Sequence, residues 1–214
     1  MNQNERLIKT KEQWAKARRG GEEREVFSEG DDRLPPGQHL VETWPVLDLG
    51  FKPDIPPSEW KVAIGGFVAH PTTWTWEQFL AQPQFKDISD FHCVTSWSRY
   101  DNEWKGVSFK HILSVVKPLS LAKFVLFKSY DDYTTNLPLE ACDASDVLLA
   151  YQWNGKPLTK EHGGPVRVIV PKRYAWKGAK WVKEITFADK DEKGFWEIRG
   201  YSNTALPWNN DRYA

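Results

Sequence analysis

The stretch His162-Gly163-Gly164-Pro165-Val166-Arg167-Val168-Ile169-Val170-Pro171 decides the fold class. Val166 to Val170 is β-branched and alternating, and Pro171 stops it, which reads as a strand. Gly-Gly-Pro ahead of it is turn chemistry. Lys172-Arg173-Tyr174-Ala175-Trp176-Lys177-Gly178-Ala179-Lys180-Trp181-Val182-Lys183 follows, with cations interleaved among aromatic rings. Trp181 to Phe187 then predicts a further strand.

Working outward, short strands and short helices alternate irregularly. Trp60 to Ile64 reads as a strand ending at Gly65-Gly66. Thr75 with Gln78 three residues on is a helix-start signature. Phe91 to Ser98 is strand-like and enters a loop, and Phe109 to Val116 is a short helix ended by Pro118. Phe124 to Phe127 and Val147 to Trp153 are further strands, the second closed by Asn154-Gly155. Leu139 to Ala144 reads as a turn into a short helix or loop. No internal repeat is visible. The expectation is an α+β fold, a single domain with mixed β-sheet and short helices, spanning residues 34–214. Residues 34–58 hold six prolines and read as extended chain lying against the body. Residues 1–33 are a charged N-terminal arm: 16 of the 33 are Asp, Glu, Lys or Arg. Within the arm, residues 5–19 fit a helix with Leu7, Ile8 and Trp14 near one side.

The 214 residues are enough for a core without disulfide or metal staples. Lys plus Arg and Asp plus Glu both number 29. Zero net charge argues against nucleic acid as a partner. Mean hydropathy is -0.61, and no apolar run approaches the ~18 residues of a membrane span. The start has no apolar signal region, and Arg18-Arg19 is followed by charged residues. Two cysteines cannot form a disulfide framework, so a cytoplasmic location is expected. Twelve Trp, seven Tyr and eleven Phe suit either an aromatic core or a pocket for a flat ligand.

Cys93 lies in Phe91-His92-Cys93-Val94-Thr95-Ser96-Trp97-Ser98, at a strand end among polar neighbours. A lone strand cysteine is commonly a small buried hydrophobe. A thiolate at a strand-to-loop junction can instead face a pocket and bind a soft metal, if a cofactor brings the other ligands. Cys142 has no such setting and reads as structural. Arg167, Lys172, Arg173, Lys177, Lys180 and Lys183, with the glycines at 163, 164 and 178, have the composition of an anion site. They fit a solvated strand face equally well. GxxxxGK[ST], GxGxxG, HExxH, CxxC and GxSxG are all absent.

At these residues the chain resembles the molybdopterin-binding domain of the sulfite oxidase family. Two motifs carry the resemblance together. One is His92-Cys93-Val94-Thr95-Ser96-Trp97-Ser98 with Trp104-Lys105-Gly106. The other is His162-Gly163-Gly164-Pro165-Val166-Arg167 running into Pro171-Lys172-Arg173-Tyr174 and Lys177-Gly178-Ala179-Lys180. The form is nearer to the bacterial protein-methionine-sulfoxide reductase catalytic subunit than to animal sulfite oxidase.

The resemblance implies a molybdenum centre with a molybdopterin (pyranopterin) cofactor, and Cys93 as the thiolate on the metal. It implies cofactor contacts from Gln38, His39, Ser129, His162, Arg167, Gly178, Ala179 and Lys180. Tyr201 matches an active-site tyrosine, and Thr95 and Arg99 stand beside the metal ligand as candidate catalytic residues. The implied activity is oxygen-atom transfer on a small-molecule S- or N-oxide, with electrons exchanged with an external redox carrier. Sulfite oxidation and a non-catalytic pterin- or nucleotide-binding protein are the alternatives. Two departures bear on substrate. Sulfite oxidases place an arginine five residues after the cysteine, where this chain has Ser98, with Arg99 one further on. The sulfoxide-reductase branch has a glutamate two residues after it, where this chain has Thr95.

Overall fold

The computed structural model describes residues 3–18 and 33–214. Residues 19–32, part of the expected arm, lie outside the described residues. Helix α1 spans Gln3–Ala17, β1 His39–Leu40, β2 Lys61–Gly66 and β3 Thr72–Thr75. Helix α2 covers Trp76–Leu80, β4 Phe85–Cys93, β5 Trp97–Ser108 and α3 Phe109–Val116. Strands β6 (Phe124–Ser129) and β7 (Thr134–Pro138) precede α4 (Leu139–Cys142). Strands β8 (Leu148–Trp153), β9 (Lys156–Pro157), β10 (Arg167–Ile169) and β11 (Val182–Ala188) complete the set.

The strands form two sheets. In the first, β1, β5, β8 and β10 lie in that order, with β4 also on β5 and β9 on β8. In the second the order is β3-β2-β11-β6-β7. Parallel pairing of β1 with β5 and of β2 with β11 makes both sheets mixed. The α+β single-domain expectation therefore holds. Alternation explains the layering. Val62 and Ile64 of β2, Val125 and Phe127 of β6, and Ile185 and Phe187 of β11 point to one side. They meet Val107, Leu149 and Val168 from the first sheet, with Phe109, Ile112 and Val116 of α3 closing the layer. Each fully buried side chain of this kind contributes about 1.5–3 kcal/mol.

Local rules set several boundaries. Thr75 and Gln78 form a capping box on α2. Ser108 accepts from His111 N to start α3, and Lys117 ends it in the left-handed region ahead of Pro118. Two further clusters lie beside the main core. One groups Trp44, Phe91, Cys93, Trp97 and Trp104; the other groups Ala15, Tyr174, Trp176, Trp196 and Tyr201.

Helix α1 differs from its reading. Ala15 is buried and Ile8 packs against the second of these clusters, while Leu7 and Trp14 are exposed. The buried face is thus 8, 11 and 15, one helical stripe. The large apolar residues at 7 and 14 lie outside it. Strand β5 also departs from expectation: Phe91 to Ser98 is the tip of a β4–β5 hairpin, not a strand entering a loop.

Candidate functional site

Cys93 is the last residue of β4, and Trp97 opens β5 opposite it. Between them Ser96 takes a φ of 72° and returns its N–H to the Cys93 carbonyl at 3.1 Å. Gln38 Nε2 donates to the same carbonyl at 3.2 Å, and Ser98 Oγ donates to Gln38 Oε1 at 3.3 Å. His92 Nδ1 lies 2.8 Å from Ser98 Oγ. Burial holds His92 near a pKa of about 4, so its ring is neutral at pH 7. The polar residues around the cysteine therefore brace the hairpin from behind. The thiol faces forward, and Thr95 Oγ1 is 3.2 Å from Cys93 Sγ. Burial pushes the thiol pKa up; the Thr95 hydroxyl and the charges of Lys11 and Arg212 oppose that. A metal would reverse the balance, because a coordinating thiol is deprotonated outright.

A cavity of about 120 Å³ opens in front of Cys93. It brings together Cys93, Thr95, Ser129, His162, Arg167, Gly178, Lys180 and Tyr201. Trp44, Trp176, Trp181 and Trp196 supply much of the aromatic wall. His162 stacks on Trp44 at 4.1 Å between ring centroids and sits 3.1 Å from the Trp44 carbonyl through Nε2. Its pKa is lowered by burial first, so it is a neutral wall residue. Arg167 lies over Trp44 and Phe91 and donates to the carbonyls of His162 and Gly178 at 2.9 and 3.3 Å. Burial lowers its pKa to about 9, which leaves it charged at neutral pH. Lys180 Nζ donates to the carbonyls of Leu47 and Glu161, both at 2.7 Å, and burial brings its pKa to about 7.

The glycines act through space rather than through their N–H groups. Gly163 and Gly178 donate to Lys160 and Ala175 carbonyls within their own turns. A Cβ on Gly178 would stand 2.6 Å from the Val168 carbonyl. One on Gly163, at φ +100°, would stand 2.9 Å from Lys180 Cβ. These positions let Arg167 and Lys180 lie against backbone at the cavity wall.

Other expected residues are placed elsewhere. Gln38 is spent on the Cys93 hairpin, and His39 is exposed on β1. Ala179 is buried in the main core. Arg99 donates to the Glu42 carbonyl and to Asn102 Oδ1 at 3.0 and 2.6 Å and lies over Trp153, away from the cavity. The cation cluster also divides. Lys177 is fully buried against Glu197 at 2.7 Å, and Lys183 pairs with Asp132. Only Arg167 and Lys180 of that cluster line the cavity. Sequence reasoning missed Lys11, Trp44 and Arg212. Lys11 lines the cavity from α1, and Arg212 clamps the turn after Cys93. Their spacing from Cys93 carries no local signal.

The profile of the family described as "Oxidoreductase molybdopterin binding domain" matches residues 49–196, more than half of the chain. The chain belongs to this family. Its members bind the molybdenum cofactor, and the chain is an oxidoreductase of the molybdopterin sulfite oxidase family. It is 40% identical over 191 residues to the "Uncharacterized oxidoreductase YuiH" of Bacillus subtilis, covering 87% of this chain and 95% of that one. It is 30% identical over 155 residues to the "Protein-methionine-sulfoxide reductase catalytic subunit MsrP" of Campylobacter jejuni, covering 64% of this chain and 52% of the relative. The chain thus spans about half the length of that reductase subunit. In fold it is similar to the sulfane dehydrogenase SoxCD of Paracoccus pantotrophus, with a TM-score of 0.60 and 23% identity, covering 65% of this chain and 40% of that one.

The residues present fit the family's cofactor. Among the described residues no three His, Cys, Asp or Glu side chains form a metal cage, and Cys93 is the cysteine that lines the cavity. Ser129 Oγ and Arg167 Nε are buried at the cavity with no hydrogen-bond partner. Buried donors left without a partner are costly, and an anionic, oxygen-rich tail would satisfy both. Arg167, Lys180 and Ser129 would hold the phosphate, His162 and the tryptophans would flank the rings, and Cys93 would reach the metal. Among the described residues no helix is long and apolar enough to cross a membrane.

Proposed function

We propose that this oxidoreductase transfers an oxygen atom from a small S- or N-oxide, using electrons from an external carrier. The observation that carries this reading is the position of Arg99 and Arg199, the two arginines that could fold back toward a substrate beside Cys93. Arg99 is held by Glu42 and Asn102. Arg199 is held by the Phe195 carbonyl and ion-paired with Glu12 at 3.3 Å. Neither lines the cavity. Of the described cations that do, Arg167 and Lys180 are engaged with main-chain carbonyls. That leaves Lys11 alone and not the several converging cations that a sulfite dianion needs.

The wall beside Cys93 is Thr95, Trp196 and Tyr201. Burial raises the pKa of Tyr201 above its usual value, so the phenol stays protonated. Its hydroxyl makes no hydrogen bond among the described residues, which leaves it available to a substrate oxygen. Molybdenum in its pterin supplies the two-electron chemistry when bound. The overall change takes up two electrons and two protons and releases the oxide's oxygen as water. The protein's part is an apolar wall for the substrate's organic groups, with Thr95 and Tyr201 as hydroxyl donors. Two similar relatives carry sulfoxide reductase names, which supports the same direction.

Steady-state kinetics test the reading, with a reduced dye for oxides and ferricyanide for sulfite. Reduction of S- or N-oxides with little sulfite oxidation is expected. Efficient sulfite oxidation without oxide reduction would overturn it.

A further inference from the structure

Helix α1 lies at the cavity mouth. Asn4 stands against Gly50, where an added Cβ would fall 2.1 Å from the Asn4 side chain. Ala15 and Ile8 pack on the cluster of Tyr174, Trp176, Trp196 and Tyr201. Glu12 pairs with Arg199. Lys11 lies between these anchors and turns its side chain into the cavity that holds Cys93.

The cations of that cavity are not equivalent. Arg167 and Lys180 donate to main-chain carbonyls, and they sit where the cofactor's phosphate would lie. The Lys11 ammonium stands 5.2 Å from the Trp196 ring centroid and makes no hydrogen bond among the described residues. Asp48, the carboxylate whose charge acts on Lys11, already accepts from Gly50 N at 2.7 Å and faces Lys52 at 3.4 Å. Lys11 thus presents three unspent N–H donors and one charge, on the wall that carries Trp196 and Tyr201. A desolvated ammonium without a hydrogen-bond acceptor is unfavourable, and an anionic ligand relieves it.

We infer that Lys11 determines substrate specificity by pairing with a carboxylate on the oxide substrate, so that the preferred substrate is a small monoanionic S- or N-oxide. This rests on the oxide-reducing reading above. Among the described residues Lys11 is the one cation of the cavity wall that makes no hydrogen bond. Its one charge matches a single negative charge, whereas a dianion would need a second cation. The rigid stem set by α1 places that charge at the mouth, apart from the thiolate.

The test uses holoenzyme and two near-isosteric probes, (methylsulfinyl)acetate and (methylsulfinyl)acetamide, which differ in charge. Their reduced counterparts, (methylthio)acetate and (methylthio)acetamide, are titrated calorimetrically and need no turnover. Wild-type protein should favour the carboxylate over the amide by about tenfold or more in both kcat/KM and Kd. Lys11→Met should bring both ratios close to one, with little change for the amide, and Lys11→Arg should restore them. Lys11→Gln gives the same comparison should the methionine disturb α1. Equal binding of the two thioethers by wild type, or an unchanged ratio in Lys11→Met and Lys11→Gln, would overturn the role of Lys11. Failure to reduce any oxide, with the thioether ratio still dependent on Lys11, would refute the oxide class and leave the anion contact standing.

Discussion

Arg212 Nη1 donates to Ser96 Oγ at 2.7 Å, tying the end of the chain to the turn that follows Cys93. The same nitrogen donates to the Val94 carbonyl at 2.6 Å, and Nη2 reaches the Gly37 carbonyl at 3.2 Å. One guanidinium therefore fixes both the left-handed Ser96 and the segment that leads into β1. Arg212→Ala should lose about 1.5–3 kcal/mol of stability, the range for hydrogen bonds to a charged group. It should also loosen Cys93 and lower the molybdenum content of purified protein. Urea unfolding and metal analysis check this. Full metal content with unchanged stability would show that the hairpin holds itself.

Lys177 and Glu197 form a buried ion pair with neither side chain exposed. Lys177 also donates to Asn136, and Glu197 Oε1 accepts from Trp176 and Thr135. Removing one partner leaves a buried charge alone, so Lys177→Met should cost about 3–5 kcal/mol. Lys177→Met with Glu197→Gln should recover part of it, since the neutral amide can still accept from Trp176 and Thr135. A double variant no more stable than the single one would contradict this.

The two cysteines should separate metal binding from packing. Cys142 is completely buried in the main core, and its thiol pKa is pushed far up by burial. Cys142→Ser should cost about 1–3 kcal/mol for an unsatisfied hydroxyl, with molybdenum retained. Cys93→Ser should keep the fold by circular dichroism while abolishing turnover with a reduced dye. Residual wild-type turnover in Cys93→Ser would remove Cys93 from the metal's ligand set.

The fold's core was legible where side-chain period and local capping agreed. Strands β2, β6 and β11 follow alternation, β8 and β10 are short runs buried on both faces, and α2 and α3 follow their caps. Strand β7, Thr-Thr-Asn-Leu-Pro, was not legible. It is short and polar, and it is a strand because β6 pairs with it. Strand β5 carries Arg99, Asp101, Asn102 and Glu103, and three neighbours, β1, β4 and β8, hold it extended. Tertiary pairing outweighed composition in both. At the site, resemblance brought Cys93, His162, Arg167 and Lys180 into view. Local spacing could not show that Lys177 turns inward, because Glu197 lies 20 residues on. Nor could it show that Lys11, 82 residues before Cys93, enters the same cavity.

Lys180 should make cofactor retention depend on pH. In the cofactor-free protein, burial and the nearby Arg167 and Lys52 charges lower its pKa from 10.5 to about 7, against the pull of Asp48 and Asp131. Below about pH 7 both the folded and the unfolded chain hold the proton, and the folded state bears the full cost of a buried charge. Between about 7 and 10.5 the unfolded chain keeps a proton that the folded chain has lost. The cofactor-free protein should therefore gain stability as pH rises through that window. Phosphate binding works the other way, because the anion favours the charged ammonium. Cofactor binding above pH 7 must then take up a proton, and retention should weaken from pH 7 to pH 9. Gel filtration of loaded protein at the two pH values, followed by metal analysis, measures the effect. Lys180→Met should retain less cofactor at both and lose the dependence. Lys180→Arg, charged throughout, should lose the dependence while keeping more cofactor than the methionine variant. Equal retention by wild type at pH 7 and pH 9 would place the Lys180 ammonium outside the phosphate contact.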